Sequence, residues 1–166
     1  MEIVEAAGIR VAVVAGACVG PDFERALEVD LRIAGDGARF STAGVADPVA
    51  CGVRLARLLG EARAKELILA GRTVDAPTAL RLGLVTRVVP GSALGATAQA
   101  LTEQLRALPP LALAAARDAV RATRDLTPRE ALGLEHEHFR RLIATRDHKA
   151  AVAAFFERRD AAFTGE

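Results

Sequence analysis

The stretch Val11-Ala12-Val13-Val14-Ala15-Gly16-Ala17-Cys18-Val19-Gly20-Pro21-Asp22-Phe23-Glu24, followed by Asp30-Leu31-Arg32-Ile33-Ala34, decides how this chain folds. Val11 to Val14 is apolar and mostly β-branched, and Gly16 and Gly20 come after it, so a buried strand runs into a turn. A short helix should follow, from about Asp22 to Glu28. Asp30 to Ala34 alternates polar and apolar residues in the strand manner, with Leu31 and Ile33 on one face, and Gly35 and Gly37 mark its end. The first module is therefore a βαβ-like unit. Gly16 and Gly20 do not make it a dinucleotide site, because the order G-x-G-x-x-G is absent.

Downstream, Gly44 to Pro48 is irregular, and Val49, Val53, Leu55, Leu58 and Leu59 then recur at helical spacing until Gly60 closes the segment. A second helix runs on to Gly71. Asp75 suits an N-cap for Ala76 to Leu82, since its carboxylate can accept orphan backbone N–H groups, and Gly83 ends that helix. Val85 to Val89 predicts one more strand. Beyond Pro90 and Gly91 glycine becomes scarce and alanine, leucine, arginine and glutamate dominate, as in packed helices. Leu101, Leu105 and Leu108 form a stripe interrupted by Pro109-Pro110, and Leu111 to Arg124 makes the next helix. Thr127-Pro128-Arg129-Glu130 is a capping box with proline at the first helical position. The helix it opens has Leu132, Phe139, Leu142 and Ile143 as its apolar face. A last helix, about Asp147 to Arg158, is expected to pack through Val152, Phe155 and Phe156.

The size, 166 residues, fits one compact unit, and an apolar content of 51% is enough to bury a core. Twenty-two lysines and arginines against 21 aspartates and glutamates remove any whole-molecule electrostatic case for nucleic acid or an anionic membrane. Cys18 and Cys51 are too few and too far apart for a disulfide framework or a zinc site, and read as small buried residues in a reducing cytoplasm. Met1 to Arg10 has two glutamates and no basic region ahead of an apolar stretch, unlike a signal peptide. The longest apolar runs, such as Val11 to Val19, fall short of the roughly 20 residues a membrane-spanning helix needs. A soluble, cytoplasmic protein is expected.

Several segments, taken in order, resemble the crotonase superfamily, the enoyl-CoA hydratase/isomerase family. Val11-Ala12-Val13-Val14 with Gly16, Gly20 and Glu24 is similar to the family's strand and glycine-rich turn ending in glutamate. Asp30-Leu31-Arg32-Ile33-Ala34 and Ala38-Arg39-Phe40 match its next strand and its Ala-Arg-Phe segment. Arg57-Leu58-Leu59-Gly60, Leu69-Ala70-Gly71-Arg72, Val74-Asp75-Ala76 and Leu82-Gly83-Leu84-Val85 follow as they do in enoyl-CoA hydratases, and Asp147-His148-Lys149 through Phe163-Thr164-Gly165 is similar to the family's ending. The resemblance implies an α/β fold, with a partial crotonase-type ββα spiral over residues 1–90 and a C-terminal helical oligomerisation region over 91–166. It implies a homo-oligomer, trimer or hexamer, or a companion chain supplying an N-terminal part. Roughly the first third of a usual family chain would lie before Met1, making this chain truncated relative to the family.

Members of the family bind acyl-CoA thioesters and hold an enolate oxygen between two backbone N–H donors, one from an early loop and one from the glycine-rich turn. Acyl-CoA would be the substrate, in fatty acid metabolism, and neither a separate cofactor nor a metal is called for. Glu24 matches the family's first catalytic glutamate and is the candidate acid/base; the alternative is a solvated carboxylate in a helix first turn. Counting back from Glu24, the turn donor falls on Pro21, next to Gly20, and proline has no N–H to give. Losing one such donor costs about a hundred- to a thousand-fold in rate. The second glutamate's position falls near Gly44, with Asp47 the nearest carboxylate. Lys149, Arg158 and Arg159 are candidates for CoA's phosphates, with solvated surface cations as the other reading. Glu135-His136-Glu137-His138 invites a metal, but residues two apart on a helix point to different sides.

Two functions follow. One is an enzyme of enolate chemistry in which a single clear carboxylate favours proton shuttling over water addition. The other is a non-catalytic family fragment or pseudoenzyme acting as an oligomerisation or partner-binding subunit.

Overall fold

The chain opens on a hairpin: β1 (Glu2–Ala6) turns through Ala7 and Gly8, with φ of 50° and 75°, into β2 (Ile9–Val14). Two consecutive residues at positive φ give the turn the twist that antiparallel strands need. The computed structural model describes residues 1–46 and 48–166, leaving aside the side chains of 48–50. After β2 come β3 (Ala17–Val19), α1 (Pro21–Glu28), β4 (Leu31–Gly35) and β5 (Arg39–Ser41). β2 pairs in parallel with β4, Val11 opposite Leu31, and β3 pairs in parallel with β5, Cys18 opposite Phe40. The crossover through α1 therefore serves two sheets at once. The expected βαβ unit is present, but doubled into ββαββ. The sequence reading passed over β3 and β5 because three residues are too few to show a period of two.

Two sheets result, of order β1-β2-β4-β7 and β3-β5-β6, with β6 at Val74–Asp75 and β7 at Arg87–Val89. The predicted strand Val85 to Val89 begins later than expected, since Leu84 and Val85 are buried in the turn leading to it. Alternation in β4 does not survive folding: Arg32, Ile33, Ala34 and Gly35 are all buried, so the strand is covered on both faces. One core contains Val14 and Cys18 of the strands, Phe23 of α1, Phe40 of β5, Leu55 of the helix Pro48–Leu59, and Leu84 and Val85 from the turn before β7. The Phe23 and Phe40 rings meet at 6.5 Å in a tilted pair. Burying each contributes about 1.5–3 kcal/mol. Cys18 and Cys51 are buried and not joined in a disulfide, as the sequence suggested.

Helices α2 (Pro48–Leu59) and α3 (Glu61–Leu69) meet at Gly60, whose φ of 83° turns the chain between them. In α4 (Ala76–Leu82) the Asp75 carboxylate accepts from the Thr78 N–H at 2.9 Å, and Gly83 closes the helix at φ 78°. Both ends were legible in the sequence. A 3₁₀ turn, Gly91–Ala93, then leads into α5 (Leu94–Arg106), α6 (Pro110–Ala122), α7 (Pro128–Leu142) and α8 (Arg146–Glu157).

The described chain divides into two compact units, one of Met1–Glu5 with Arg10–Leu101 and one of Ala6–Ile9 with Thr102–Glu166. In the second unit α6 lies against α7. Thr127 and Glu130 form the predicted capping box: the Glu130 N–H donates to Thr127 Oγ1 and the Thr127 N–H to Glu130 Oε2, at 3.4 and 2.8 Å. At α8 the Asp147 carboxylate, 4% exposed, accepts from the N–H groups of Thr164 and Gly165 at 2.8 and 3.0 Å, tying the last residues to the helix start. The apolar residues assigned to packing on α7 and α8 behave otherwise. Phe139, Ile143 and Val152 are exposed, as is Leu132, and Phe155 and Phe156 are each 78% exposed. Phe23 and Phe40 belong to the core; these three phenylalanines do not.

Candidate functional site

Pairing of β3 with β5 sets the site. Val19 stands opposite Ser41, so the turns leaving the two strands emerge side by side, at Gly20 and Gly44. Gly20 has φ 56° and ψ −131°, and a Cβ there would sit 2.9 Å from the Gly44 carbonyl oxygen. Only glycine fits that backbone at that separation. Gly20 is also the N-cap of α1, and its carbonyl accepts the Glu24 N–H at 3.1 Å. Glu24 is half-buried in the first turn of the helix. Gly20, Pro21 and Glu24, neighbours in the sequence, thus share the start of α1, and Gly44, distant in sequence, comes against Gly20.

Pro21 occupies the first helical position and faces solvent. Its ring suits the φ of that position, and its missing N–H leaves the turn without a donor there. Asp22 adds a carboxylate to the same first turn. Behind it, burial together with the charge of Asp22 pushes the Cys18 thiol up to about 11, which keeps it protonated and makes it a packing residue rather than a nucleophile. Asp47, the nearest carboxylate to the expected second glutamate, lies outside the described residues, and the Gly44 position itself supplies no side chain.

Beside Gly44 opens a cavity of about 260 Å³ lined by Thr42, Gly44, Val45, Cys51 and Ile68. That is close to the lower end of ligand-pocket volumes, about 300–1,000 Å³. Thr42, Val45 and Ile68 escaped the sequence reading because nothing in a single sequence brings the end of β5 to the α2–α3 pair. The Thr42 hydroxyl donates to the Leu67 carbonyl at 3.1 Å, tying the turn after β5 to α3.

The remaining candidates lie in the second unit. Lys149 is exposed on α8; Arg158 caps that helix with φ 54°. Arg159 is paired with Glu157 and donates to the Asp160 carbonyl at 3.2 Å. On α7 the His138 Nδ1 lies 2.9 Å from the Arg141 guanidinium. Arginine can only donate, so this nitrogen is the acceptor.

The sequence profile of the family described as enoyl-CoA hydratase/isomerase matches residues 1–166. A Rhizobium meliloti protein named "Probable enoyl-CoA hydratase" is 38% identical over 157 residues, 92% of this chain and 61% of its own length. The short-chain-enoyl-CoA hydratase of Clostridium acetobutylicum is 35% identical over 153 residues, 90% of this chain and 59% of its own. The crystal structure of an enoyl-CoA hydratase from Bacillus anthracis superposes with a TM-score of 0.87 at 33% identity, over 94% of this chain and 62% of that one. The chain spans about three fifths of the length of these relatives. Doubled strands around a single crossover, a glycine-bound turn ending in glutamate and this run of matches agree: the chain belongs to the enoyl-CoA hydratase/isomerase family.

Proposed function

We propose that the chain acts on acyl-CoA thioesters through an enolate, with Glu24 as the group that moves the proton. The observation carrying this reading is the placement of Glu24: half-buried in the first turn of α1, its N–H bonded to the carbonyl of Gly20, the residue that meets Gly44. A carboxylate drawn out of water there can exchange a proton with a substrate α-carbon. With Pro21 giving no N–H and Gly44 no carboxylate, transfer of a proton between carbons fits the site better than addition of water, so isomerisation is favoured over hydration. Lys149, Arg158 and Arg159 are the cations proposed for the CoA phosphates. The proposed setting is cytoplasmic, in a trimer or hexamer assembled through the helices after Pro90, or beside a companion chain that completes the cleft. The exposed phenylalanines of α8 support such an assembly, because apolar rings of that size are seldom left in water.

Purified chain assayed with 2-enoyl- and 3-enoyl-CoA should interconvert the double-bond isomers, and Glu24→Gln should lower that rate by about 10²- to 10⁴-fold. Turnover that survives the substitution would remove Glu24 from the mechanism. No turnover in the unsubstituted chain would point to the non-catalytic subunit.

A further inference from the structure

Helix α1 carries Glu24 at one end and is gripped at the other. Its C-cap, Val29, is in extended conformation, and no glycine closes the helix. The Asp30 N–H, which would otherwise continue the helix to Ala26, donates to the Arg10 carbonyl at 3.0 Å. The carbonyls freed at this end need other donors. Arg32 supplies them: its Nη1 donates to the Ala26 and Val29 carbonyls at 3.1 and 3.0 Å, while its Nε donates to the Leu84 carbonyl at 2.7 Å. Arg10 adds a bond from Nη2 to the Glu28 carbonyl at 2.8 Å. Arg32 is 6% exposed and, among the described residues, is the buried charged side chain of the first unit.

Burying a guanidinium is costly unless its donors are met, and here Nη1 is met by the negative end of one short helix and Nε by the turn before β7. A planar fork joins these partners in one fixed geometry, which a lysine ammonium does not reproduce. α1 spans only eight residues, with Phe23 and Ala26 packed into the core along its length, the Gly20–Gly44 contact at its start and the Arg32 fork at its end. We infer that Arg32 is a positioning residue for Glu24, holding α1 at its C-terminal end so that the carboxylate at its N-terminal end stays in register with the Gly20–Gly44 junction. This rests on the proposed role of Glu24, but the local order of α1 can be tested apart from it.

The test is Arg32→Lys, which keeps a buried cation and removes the fork, with amide hydrogen exchange followed by NMR. The Glu24 amide, bonded to the Gly20 carbonyl, should exchange about tenfold faster or more relative to the Val13 amide in β2, reporting local opening of α1. In the enoyl-CoA assay kcat should fall with KM little changed, since geometry rather than substrate affinity is lost. If the Glu24 and Val13 amides accelerate by the same factor, Arg32 contributes only global stability and the inference fails; an unchanged kcat alongside measurable wild-type turnover overturns it as well. Absence of turnover in the wild-type chain refutes the catalytic reading of Glu24, while the exchange ratio still decides whether Arg32 orders α1. Should Arg32→Lys not fold, the wild-type protein serves: the Arg32 Nε–H and the Glu24 amide should exchange on a common timescale, and independent rates would overturn the inference.

Discussion

Among the described glycines, Gly20 is the one where an added Cβ would come closest to another atom. Gly20→Ala must hold a Cβ at φ 56° and within 2.9 Å of a backbone oxygen, and should destabilise the chain by about 1–3 kcal/mol. Thermal unfolding would read this as a drop of roughly 2–4 °C per kcal/mol. Gly16→Ala, where a Cβ meets nothing within 4 Å, is the control and should change little. Pro21→Gly tests the neighbouring position in the opposite sense. It returns an N–H to the turn, and turnover with enoyl-CoA should rise, by up to about a hundred-fold if that group reaches the enolate oxygen. In the second unit, Asp147→Ala would leave the Thr164 and Gly165 N–H groups without their acceptor, at a cost of about 1–3 kcal/mol, with faster exchange at those two amides as the local signature. The roles of single residues were unevenly legible. Gly20, Pro21 and Glu24 stand together in the sequence and could be read there. Asp147 and Arg32 could not, since their partners lie 17 and up to 52 residues away and are backbone atoms, which no residue type reveals.

At the scale of elements, caps were the most readable features, because each is a local bond between residues three apart. The Thr127–Glu130 box opens α7 as its four residues predict, and Thr127→Ala should cost about 1 kcal/mol at neutral pH in urea unfolding. Glu130 has its carboxyl held below the usual range, first by the Thr127 hydroxyl and then by the Thr127 N–H, and Asp75 is lowered by its bonds to Thr78. A lowered folded value means that the contribution is fully present above the ordinary carboxylate range and is lost as pH falls through the folded value. Melting temperature should therefore decline as pH is lowered below about 4.5, and less steeply in Glu130→Gln, which cannot titrate. Short strands were the unreadable elements. β3, β5 and β6 owe their conformation to partners brought by α1 and by the turn after α3, not to a pattern of their own.

For the whole molecule, the helical texture after Pro90 was plain in the sequence, but which of its apolar residues face outward was not. Periodicity marks a stripe without saying whether the chain itself or another copy covers it. Phe155 and Phe156, their rings in edge contact at 5.6 Å, make an apolar knob on α8 that nothing in the second unit covers. Native mass spectrometry should give a multiple of 17.4 kDa, and replacing both rings by serine should shift the population toward the single-chain mass. A single-chain mass for the unsubstituted protein would count against assembly through α8.

The contact between Gly20 and Gly44 also bears on how sequences of this kind can diverge. Neither turn can acquire bulk alone: a side chain at 20 runs into the carbonyl at 44, and the backbone at 44 has φ 72°, which favours glycine there. Positions 20 and 44 should drift as a pair, and a relative with any other residue at 20 is expected to have rerouted or resized its segment 42–46. A second carboxylate would then arrive through a change in loop length before a change in side chain.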